Sequence, residues 1–279
     1  MTNYKATFER DGFLVLPKFF AEQRIDAVQA AVKAKIAARP RDVVVDVLDT
    51  NERKLLSSLT PEQIRTTRMK VNDLYLNTPA VRDIAIDTDL AKILSDCMGT
   101  PIALCNSLYF EKGSAQPPHV DAIYMTPQTH GHLLASWVAL EDVHEDAGPL
   151  EYYPGSQLIP QWKFSNGTYH SVPEEMGAWH AYMDAQLKER GLTKQSFAAK
   201  KGDVFIWHAH LLHGGGPIND VRRTRKSLVF HYYTAADSRT RFRLEPQNEV
   251  FWIRRSPQSV PTALTGWKKA IRKIKRLIA

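Results

Sequence analysis

The feature that most constrains the fold is a series of short, strand-like segments that begins after Pro101. Each segment is rich in β-branched and aromatic residues, and Gly, Pro and Asp residues signal turns between them. The pattern predicts strands at 102–111, 119–124, 134–141, 150–153, 203–208 and 227–233, with 134–153 forming a hairpin. Such a series is typical of antiparallel sandwiches and barrels.

The first hundred residues have a helical pattern instead. Apolar residues recur at helical spacing over 22–38, and Thr60 followed by Gln63 matches a capping box. Further helix starts are predicted at Thr78 and Thr88. A helical layer followed by about eight short strands predicts a mainly β fold with flanking α, the double-stranded β-helix or cupin-like jelly roll.

One domain is expected for residues 1–261, because all-β folds of this length are often single domains. A long insertion at 159–200 separates two strands and includes a predicted helix at 177–189. Insertions of this size near a barrel mouth often act as lids. The alternative is that the aromatic side chains of the insertion pack against the barrel wall.

The formal net charge of +7 is concentrated at the C-terminus. Residues 262–279 contain six basic side chains and no acidic one, which leaves about +1 for the rest of the chain. That remainder has no basic stripe and no nucleic-acid-binding motif, so no nucleic-acid partner is predicted. Cys97 and Cys105 lack metal-ligand spacing, and the N-terminus lacks an apolar signal segment. A cytoplasmic location is the expectation.

The basic C-terminal segment, 262–279, has the pattern of an amphipathic helix. The apolar side chains that would share one face are Leu264, Trp267, Ile271, Ile274, Leu277 and Ile278. Basic side chains surround that face, which is how an interfacial helix binds anionic lipid. Two outcomes stay open: peripheral contact with an anionic membrane through 264–278, or a helix that docks on the domain.

The first candidate site is a His-x-Asp segment with His119 and Asp121. In a strand the side chains at i and i+2 share a face, and a second histidine would complete the two-histidine, one-carboxylate triad of non-haem Fe(II) enzymes. His208, His210 and His213 compete for that place. His213 is preferred because three glycines follow it, where metal, cosubstrate and backbone can approach closely. Its strand parity is opposite to that of the other two, so this choice requires a bend; His210 is the second choice.

A basic cluster follows the glycines. Arg225 and Ser227 are two residues apart, so a guanidinium and a hydroxyl share a strand face and can grip one carboxylate. Arg222 and Arg223 are expected to be solvated turn residues.

Several segments resemble the phytanoyl-CoA dioxygenase (PhyH) family of Fe(II)/2-oxoglutarate-dependent oxygenases. They are FERDGFLVLPKFF, PPHVD, WVALEDVHEDAGPLEYYPGS, GDVFIWHAHLLHGGGPIND and RRTRKS, which are spread over most of the chain. The resemblance implies that His119, Asp121 and His213 bind iron. It also implies that an arginine about one strand later, here Arg225, holds the far carboxylate of 2-oxoglutarate.

The resemblance assigns roles to further side chains. Trp137 would line the cosubstrate pocket, and Asn106 and Gln116 are candidates to hydrogen-bond the other end of 2-oxoglutarate. An inward tryptophan is also ordinary core, and loop amides are common. The chain departs from the family at Gln157, where many members have Pro-Gly-Ser-His, and this departure bears on loop structure or substrate more than on the metal.

The resulting hypothesis is an enzyme that uses Fe(II), 2-oxoglutarate and O2 to hydroxylate an unactivated C–H bond and releases succinate and CO2. Desaturation and cyclisation use the same ligands and stay open. The expected substrate is a small molecule, a glycan or a lipid- or carrier-linked group. Two other classes compete: a metal-dependent hydrolase or isomerase on the same barrel, and a non-catalytic membrane-associated scaffold.

Overall fold

The computed structural model describes residues 4–261, so the predicted C-terminal helix lies outside the described residues. Helices precede most of the strands, as predicted. The helices are α1 Tyr4–Asp11, α2 Glu22–Ala38, α3 Pro61–Thr66, α4 Pro79–Ala85, α5 Thr88–Met98, α6 Met176–Glu189 and α7 Ala235–Arg239. The strands are β1 Phe13–Leu16, β2 Val44–Val47, β3 Glu52–Leu55, β4 Met69–Asn72, β5 Ile102–Phe110, β6 Leu133–Ala139, β7 Leu150–Tyr152, β8 Gln195–Phe197, β9 Val204–His208, β10 His213–Gly215, β11 Ser227–Thr234, β12 Arg243–Gln247 and β13 Val250–Arg254.

Local signals explain the helix ends. Helix α2 has the predicted bounds, and the capping box before α3 forms, with the Thr60 hydroxyl accepting from the Gln63 backbone N–H. Helix α5 is capped by Asp87, whose carboxylate accepts two backbone N–H groups, and it ends at Gly99 in the left-handed conformation. The helical layer predicted for the first hundred residues is therefore confirmed.

The strands form two sheets. The large sheet has ten strands in the order β1-β9-β6-β11-β5-β4-β2-β3, with β13 pairing parallel to β5 and β12 joining β13. The small sheet has three strands in the order β10-β7-β8. This mostly antiparallel arrangement with flanking helices agrees with the predicted fold class. Within residues 4–261 the strands make two separate sheets rather than one closed barrel.

Three details of the predicted strands are wrong. The hairpin over 134–153 does not form, because β6 pairs with β9 and β11 in the large sheet while β7 pairs with β8 and β10 in the small one. Segment 119–124 is a single β-bridge followed by a 3-10 turn. Strands β2, β3 and β4 were missed, since each is only four residues long, too short for a periodic apolar pattern to stand out.

The two faces of the large sheet have different partners. Alternate side chains such as Leu134, Ile206 and Phe230 pack against α2, α4 and α5 in the main core. Their neighbours, including Trp137 and Phe205, face the small sheet. The second face, which we call the inner face, is where the candidate site lies. Over residues 4–261, no helix is both long and apolar enough to cross a bilayer.

Candidate active site

His119 and Asp121 lie on one side of a short extended segment. His119 forms an antiparallel bridge with His213, and each backbone N–H donates to the other residue's carbonyl, at 2.8 and 3.0 Å. Val120 is extended, with φ −116° and ψ 139°, and a 3-10 turn starts at Asp121. His119 and Asp121 therefore share a side as expected, because the one residue between them, Val120, is extended; the longer strand predicted for this segment is absent.

His213 reaches the same place because the chain bends. Strand β9 ends at His208, and residues 209–212 lead from the large sheet to β10 of the small sheet. The ligand atoms offered by His119, Asp121 and His213 all lie within 4.8 Å of one another, and all three residues are buried. The Nε2 atoms of His119 and His213 are 3.7 and 3.8 Å from Asp121 Oδ1. We call these residues the metal triad.

Backbone carbonyls orient both imidazoles. His119 Nδ1 lies 2.9 Å from the carbonyl oxygen of Pro117, and His213 Nδ1 lies 3.0 Å from that of Leu211. Each Nδ1–H can donate to its carbonyl, which makes Nε2 the acceptor nitrogen of each ring and the atom that can bind a metal; the Nε2 of His119 also lies 3.2 Å from the amide nitrogen of Gln116. Burial lowers the pKa of His119 to about 4, so this ring is neutral near pH 7.

Asp121 is held by two aromatic side chains. Trp207 Nε1 donates to Asp121 Oδ2 at 2.7 Å, and His231 Nε2 is 3.5 Å from the same oxygen. Burial acts to raise the pKa of Asp121, but His213 and His231 hold it well below its usual range. Oδ1 thus faces the imidazoles as an anionic acceptor while Oδ2 is fixed by the protein.

His231 belongs to a buried chain of hydrogen bonds that sequence reasoning missed. Its Nδ1 lies 3.0 Å from Asn106 Oδ1, and the Asn106 amide donates to Asp73, which also accepts from Arg255 at 2.8 Å. The sequence did contain a signal for His231: it is four residues after Ser227 on one strand, so the two side chains share a face. Both the oxygen and the nitrogen of the Asn106 side-chain amide therefore have partners within the protein.

Arg225 is a buried cation without an acidic partner among residues 4–261. Its side chain is 3% exposed, and its NH1 donates to the carbonyl of Gly148 at 3.1 Å. The Nε of Arg225, the Oγ of Ser227 and the Nε1 of Trp137 have no hydrogen-bond partner within that same part of the chain. Burial lowers the pKa of Arg225 to about 10. A buried guanidinium with free donors fits a ligand carboxylate.

One cavity of about 330 Å³ joins these groups. The residues that line it include the metal triad, Arg225, Trp137, Asn106 and Gln116. Gln116 Nε2 is 3.2 Å from His119 Nε2. Tyr124 and Trp207 also line the cavity. The roles predicted for Asn106 and Gln116 toward 2-oxoglutarate stay predictions.

The glycines after His213 allow two backbone segments to meet. A Cβ atom on Gly214 would lie 2.7 Å from the carbonyl oxygen of Gln116, and one on Gly215 would lie 2.5 Å from Ser114 Oγ. Larger residues would push away the loop that carries His119. The close approach expected at this turn is therefore present between β10 and residues 114–118.

The competing residues lie apart from the triad. The rings of His208 and His210 lie near each other, with centroids 5.2 Å apart and tilted planes, and neither residue lines the cavity. Arg222 and Arg223 pair with Asp220 at the surface, as predicted for turn residues.

The insertion supports the ligand-bearing segments. Trp179, Met183 and Leu187 of α6 pack in one cluster with Val120 and Leu212, which adjoin the metal triad in sequence. At 157, where the sequence departs from the resembled pattern, the amide of Gln157 donates to two carbonyls of α1. The lid role of 159–200 stays a prediction.

The donor set fits iron and 2-oxoglutarate. Two imidazoles and one carboxylate are the ligands of a facial triad, which leaves coordination positions open. The unpaired donors at Arg225, Ser227 and Trp137 match the carboxylate of a cosubstrate.

Comparisons with known proteins agree with the fold and the site. The family model described as Phytanoyl-CoA dioxygenase (PhyH) matches residues 8–225, well over half of the chain. The Phytanoyl-CoA dioxygenase domain-containing protein 1 homolog of Caenorhabditis briggsae is 22% identical over 186 residues. That alignment covers 56% of this chain and 65% of the relative.

Two solved structures are similar across most of their length. EctD from S. alaskensis, with 2-oxoglutarate and 5-hydroxyectoine, has a TM-score of 0.62 and 19% identity, covering 93% of this chain and 86% of EctD. The epimerase SnoN, in complex with Fe3+, alpha-ketoglutarate and nogalamycin RO, has a TM-score of 0.59 and 21% identity, covering 95% of each chain. At these identities the likeness shows a common fold.

Proposed function

The chain belongs to the phytanoyl-CoA dioxygenase family of Fe(II)/2-oxoglutarate-dependent enzymes, and we propose that it hydroxylates an unactivated C–H bond of a small-molecule substrate. The proposed iron ligands are His119, Asp121 and His213. The proposed anchor for 2-oxoglutarate is Arg225, assisted by Ser227. Succinate and CO2 are the expected co-products.

One observation carries this proposal: a metal triad and a buried, unpaired guanidinium share one cavity. Burying a cation without a partner is unfavourable, so the position of Arg225 makes physical sense when a carboxylate binds there. A metal-dependent hydrolase or isomerase would need the triad but not this cation. The pairing of the two features therefore favours an enzyme that uses 2-oxoglutarate.

The protein's own residues bind, orient and exclude water. His119 and His213 present Nε2 lone pairs, and Trp207 holds Asp121 in its position. The guanidinium carbon of Arg225 lies 5.9 Å from the ring centroids of both Phe110 and Trp137, so two aromatic rings shield this buried cation. Iron with 2-oxoglutarate and O2, when bound, supplies the oxidation of the C–H bond.

The fold does not select among the reactions that this chemistry allows. SnoN has a similar fold and is an epimerase, so this fold is compatible with a reaction other than hydroxylation, and desaturation, epimerisation and cyclisation stay open. We propose hydroxylation because the family model is that of a dioxygenase. The mass of the product decides, because hydroxylation adds one oxygen atom and the other reactions do not.

The experiment is a screen for substrate-stimulated succinate formation with Fe(II), 2-oxoglutarate and air. We expect one substrate class to raise succinate release, with the product gaining one oxygen atom. Turnover that persists with zinc, without O2 and without 2-oxoglutarate would support the hydrolase instead and overturn the proposal.

We also propose, from the sequence pattern alone, that residues 264–278 contact anionic membrane surfaces and that the protein is cytoplasmic and peripheral. These residues lie outside the described part of the chain. Co-sedimentation with vesicles that contain anionic lipid tests the proposal. Binding at low salt that is lost after removal of residues 262–279 is expected, and no binding by the full chain would contradict it.

A further inference from the structure

The inner face of the large sheet carries a second charged group beside the candidate active site. Arg53, Asp46 and Lys70 lie on β3, β2 and β4, and all three line the same cavity as the metal triad. Sheet pairing places them side by side, because Asp46 is opposite Arg53 on one side and opposite Lys70 on the other. We call these residues the edge cluster.

The sheet register locates the edge cluster relative to the cosubstrate anchor. Lys70 is opposite Phe110 of β5, and Phe110 is opposite Ser227 of β11, next but one to Arg225. Neighbouring strands are about 4.8 Å apart, so the backbones of Lys70 and Ser227 are separated by roughly 10 Å. Arg225 and the edge cluster therefore occupy different parts of one cavity.

The edge cluster has one more positive charge than it can neutralise. Arg53 donates to both oxygens of Asp46, at 2.5 and 2.9 Å. The Lys70 ammonium is 3.6 Å from Asp46 Oδ2, which is longer than a hydrogen bond. Asp46 stays ionised, because the bond from Arg53 and the charge of Lys70 outweigh the burial that would raise its pKa. Two cations thus share one carboxylate, and the Lys70 ammonium, an ion-pair partner of Asp46, has no hydrogen-bond acceptor within residues 4–261, so it can also bind an anion.

The charges of Asp121 and Arg225, elsewhere on the cavity wall, would be balanced by bound Fe(II) and 2-oxoglutarate. The charges of Fe(II) and Arg225 match those of Asp121 and the two carboxylates of 2-oxoglutarate. The remaining charge on the described cavity wall is the surplus at the edge cluster, where both cations are part-buried, with exposed side-chain fractions of 33% for Arg53 and 27% for Lys70. In such surroundings an unmatched cation attracts an anion more strongly than in water.

From this arrangement we propose that the substrate carries an oxyanion, a carboxylate or a phosphate monoester, which Lys70 and Arg53 bind at the edge cluster. The proposal rests on the proposed function, since it names the substrate class of the same site. It gives a role to the charged side chains that β2, β3 and β4 present to the cavity. Lys70 and Arg53 are specificity-determining residues in this account.

The test uses the full-length enzyme, loaded anaerobically with Fe(II) and saturating 2-oxoglutarate. The probes are hexanoate and hexyl phosphate, each compared with a neutral partner, hexanamide or hexanol, by ligand-observed NMR titration. We expect at least one anion to bind more tightly than its neutral partner. The preferred anion then distinguishes a carboxylate from a phosphate monoester.

Three variants locate the binding site. Lys70→Met keeps the length of the side chain and removes its charge, so it should weaken binding of the anion about tenfold, as for ~1.4 kcal/mol. Asp46→Asn increases the surplus charge and should tighten binding. Lys54→Met is the matched control, because Lys54 lies on the same strand as Arg53 but pairs with Glu52, outside the cavity lining. It should change nothing.

Two results would overturn the inference. One is equal binding of the anions and their neutral partners to the wild type. The other is a loss of 2-oxoglutarate affinity in Lys70→Met as large as the loss for the probe, which would assign Lys70 to the cosubstrate. Failure of the proposed function is distinguishable, because the visible charge-transfer band of the Fe(II)–2-oxoglutarate complex would then be missing in the wild type.

Discussion

Two groups of histidines lie close together in this protein, and only one of them can hold a metal. The metal triad brings His119 and His213 to a single carboxylate oxygen, with ring centroids 4.4 Å apart. The other group, which we call the stacked histidines, consists of His130, His208 and His210. The rings of His130 and His210 are 4.7 Å apart and nearly parallel, and those of His208 and His210 are 5.2 Å apart.

The difference lies in what the rings face. Each imidazole of the triad is oriented by a backbone carbonyl two residues earlier and points its Nε2 toward Asp121. Neither ring nitrogen of His210 has a hydrogen-bond partner in the described chain, and no carboxylate completes this group. The metal triad thus combines imidazoles oriented by backbone carbonyls with a converging carboxylate, and within residues 4–261 the stacked histidines have neither.

Replacing one histidine from each group should have the largest effect. His213→Ala removes a ligand, so we expect loss of iron affinity beyond the roughly 10–100-fold typical of outer partners, together with loss of turnover. His210→Ala should retain iron. Metal content after anaerobic loading, measured with circular dichroism as a folding control, checks both variants. Retained iron in His213→Ala with loss in His210→Ala would reverse the assignment.

Arg225→Met tests the cosubstrate half of the site. The variant removes charge-assisted hydrogen bonds to a carboxylate, so 2-oxoglutarate affinity should fall about 100-fold while iron content is unchanged. Arg223→Met is the matched control, because Arg223 pairs with Asp220 at the surface. Equal effects of the two variants on the dissociation constant of 2-oxoglutarate would contradict the assigned role.

The partners of Asp121 should matter less than the ligands themselves. Trp207→Phe keeps an aromatic ring and removes the indole N–H that donates to Asp121 Oδ2. Iron affinity should fall about tenfold, in the range known for partners of metal ligands. A titration of the apoprotein with Fe(II) measures this change, and an unchanged affinity would mean that His231 alone suffices to orient Asp121.

The stacked histidines should affect the free energy of unfolding at low pH rather than metal binding. Burial is the largest cause that lowers the pKa of His208 to about 4 and that of His210 to about 3. The unfolded chain takes up these protons near pH 6.5, before the folded one does, so the free energy of unfolding should fall as pH drops below 6.5. For His210 this loss is on the order of 1–2 kcal/mol at pH 5.

Chemical denaturation of the apoprotein at pH 7 and pH 5 checks that expectation. His210→Gln removes one titrating group, so the difference in unfolding free energy between the two pH values should be smaller than in the wild type. An identical difference in wild type and variant would show that His210 does not titrate as its burial implies.

The same comparison shows what the sequence could and could not predict. The preference for His213 over His210 came from the glycines that follow it, which are needed because the backbone of residues 114–118 approaches within contact distance. Strand parity places His213 on the face opposite to His208 and His210, because it assumes one straight strand where the chain in fact passes between two sheets. Ser227 is the first residue of β11, and Arg225 lies two residues before it, so the spacing of the two residues was the signal that pointed to Arg225.

Long-range partners were not predictable from local patterns. His231, Asn106 and Asp73 come from separate elements, and only the pairing of β5 with β11 brings the first two together. The edge cluster depends on three strands of only four residues each, VVDV, ERKL and MKVN. Segments this short have too few positions for a period of two in apolar residues to stand out.

The most direct test of the central claim is an anaerobic titration of Fe(II)-loaded enzyme with 2-oxoglutarate, followed by its visible charge-transfer band. The band requires that iron and the cosubstrate meet in one site. We predict that it forms in the wild type and in His210→Ala, and that it is absent in His213→Ala. No band in the wild type, or an undiminished band in His213→Ala, would contradict the account.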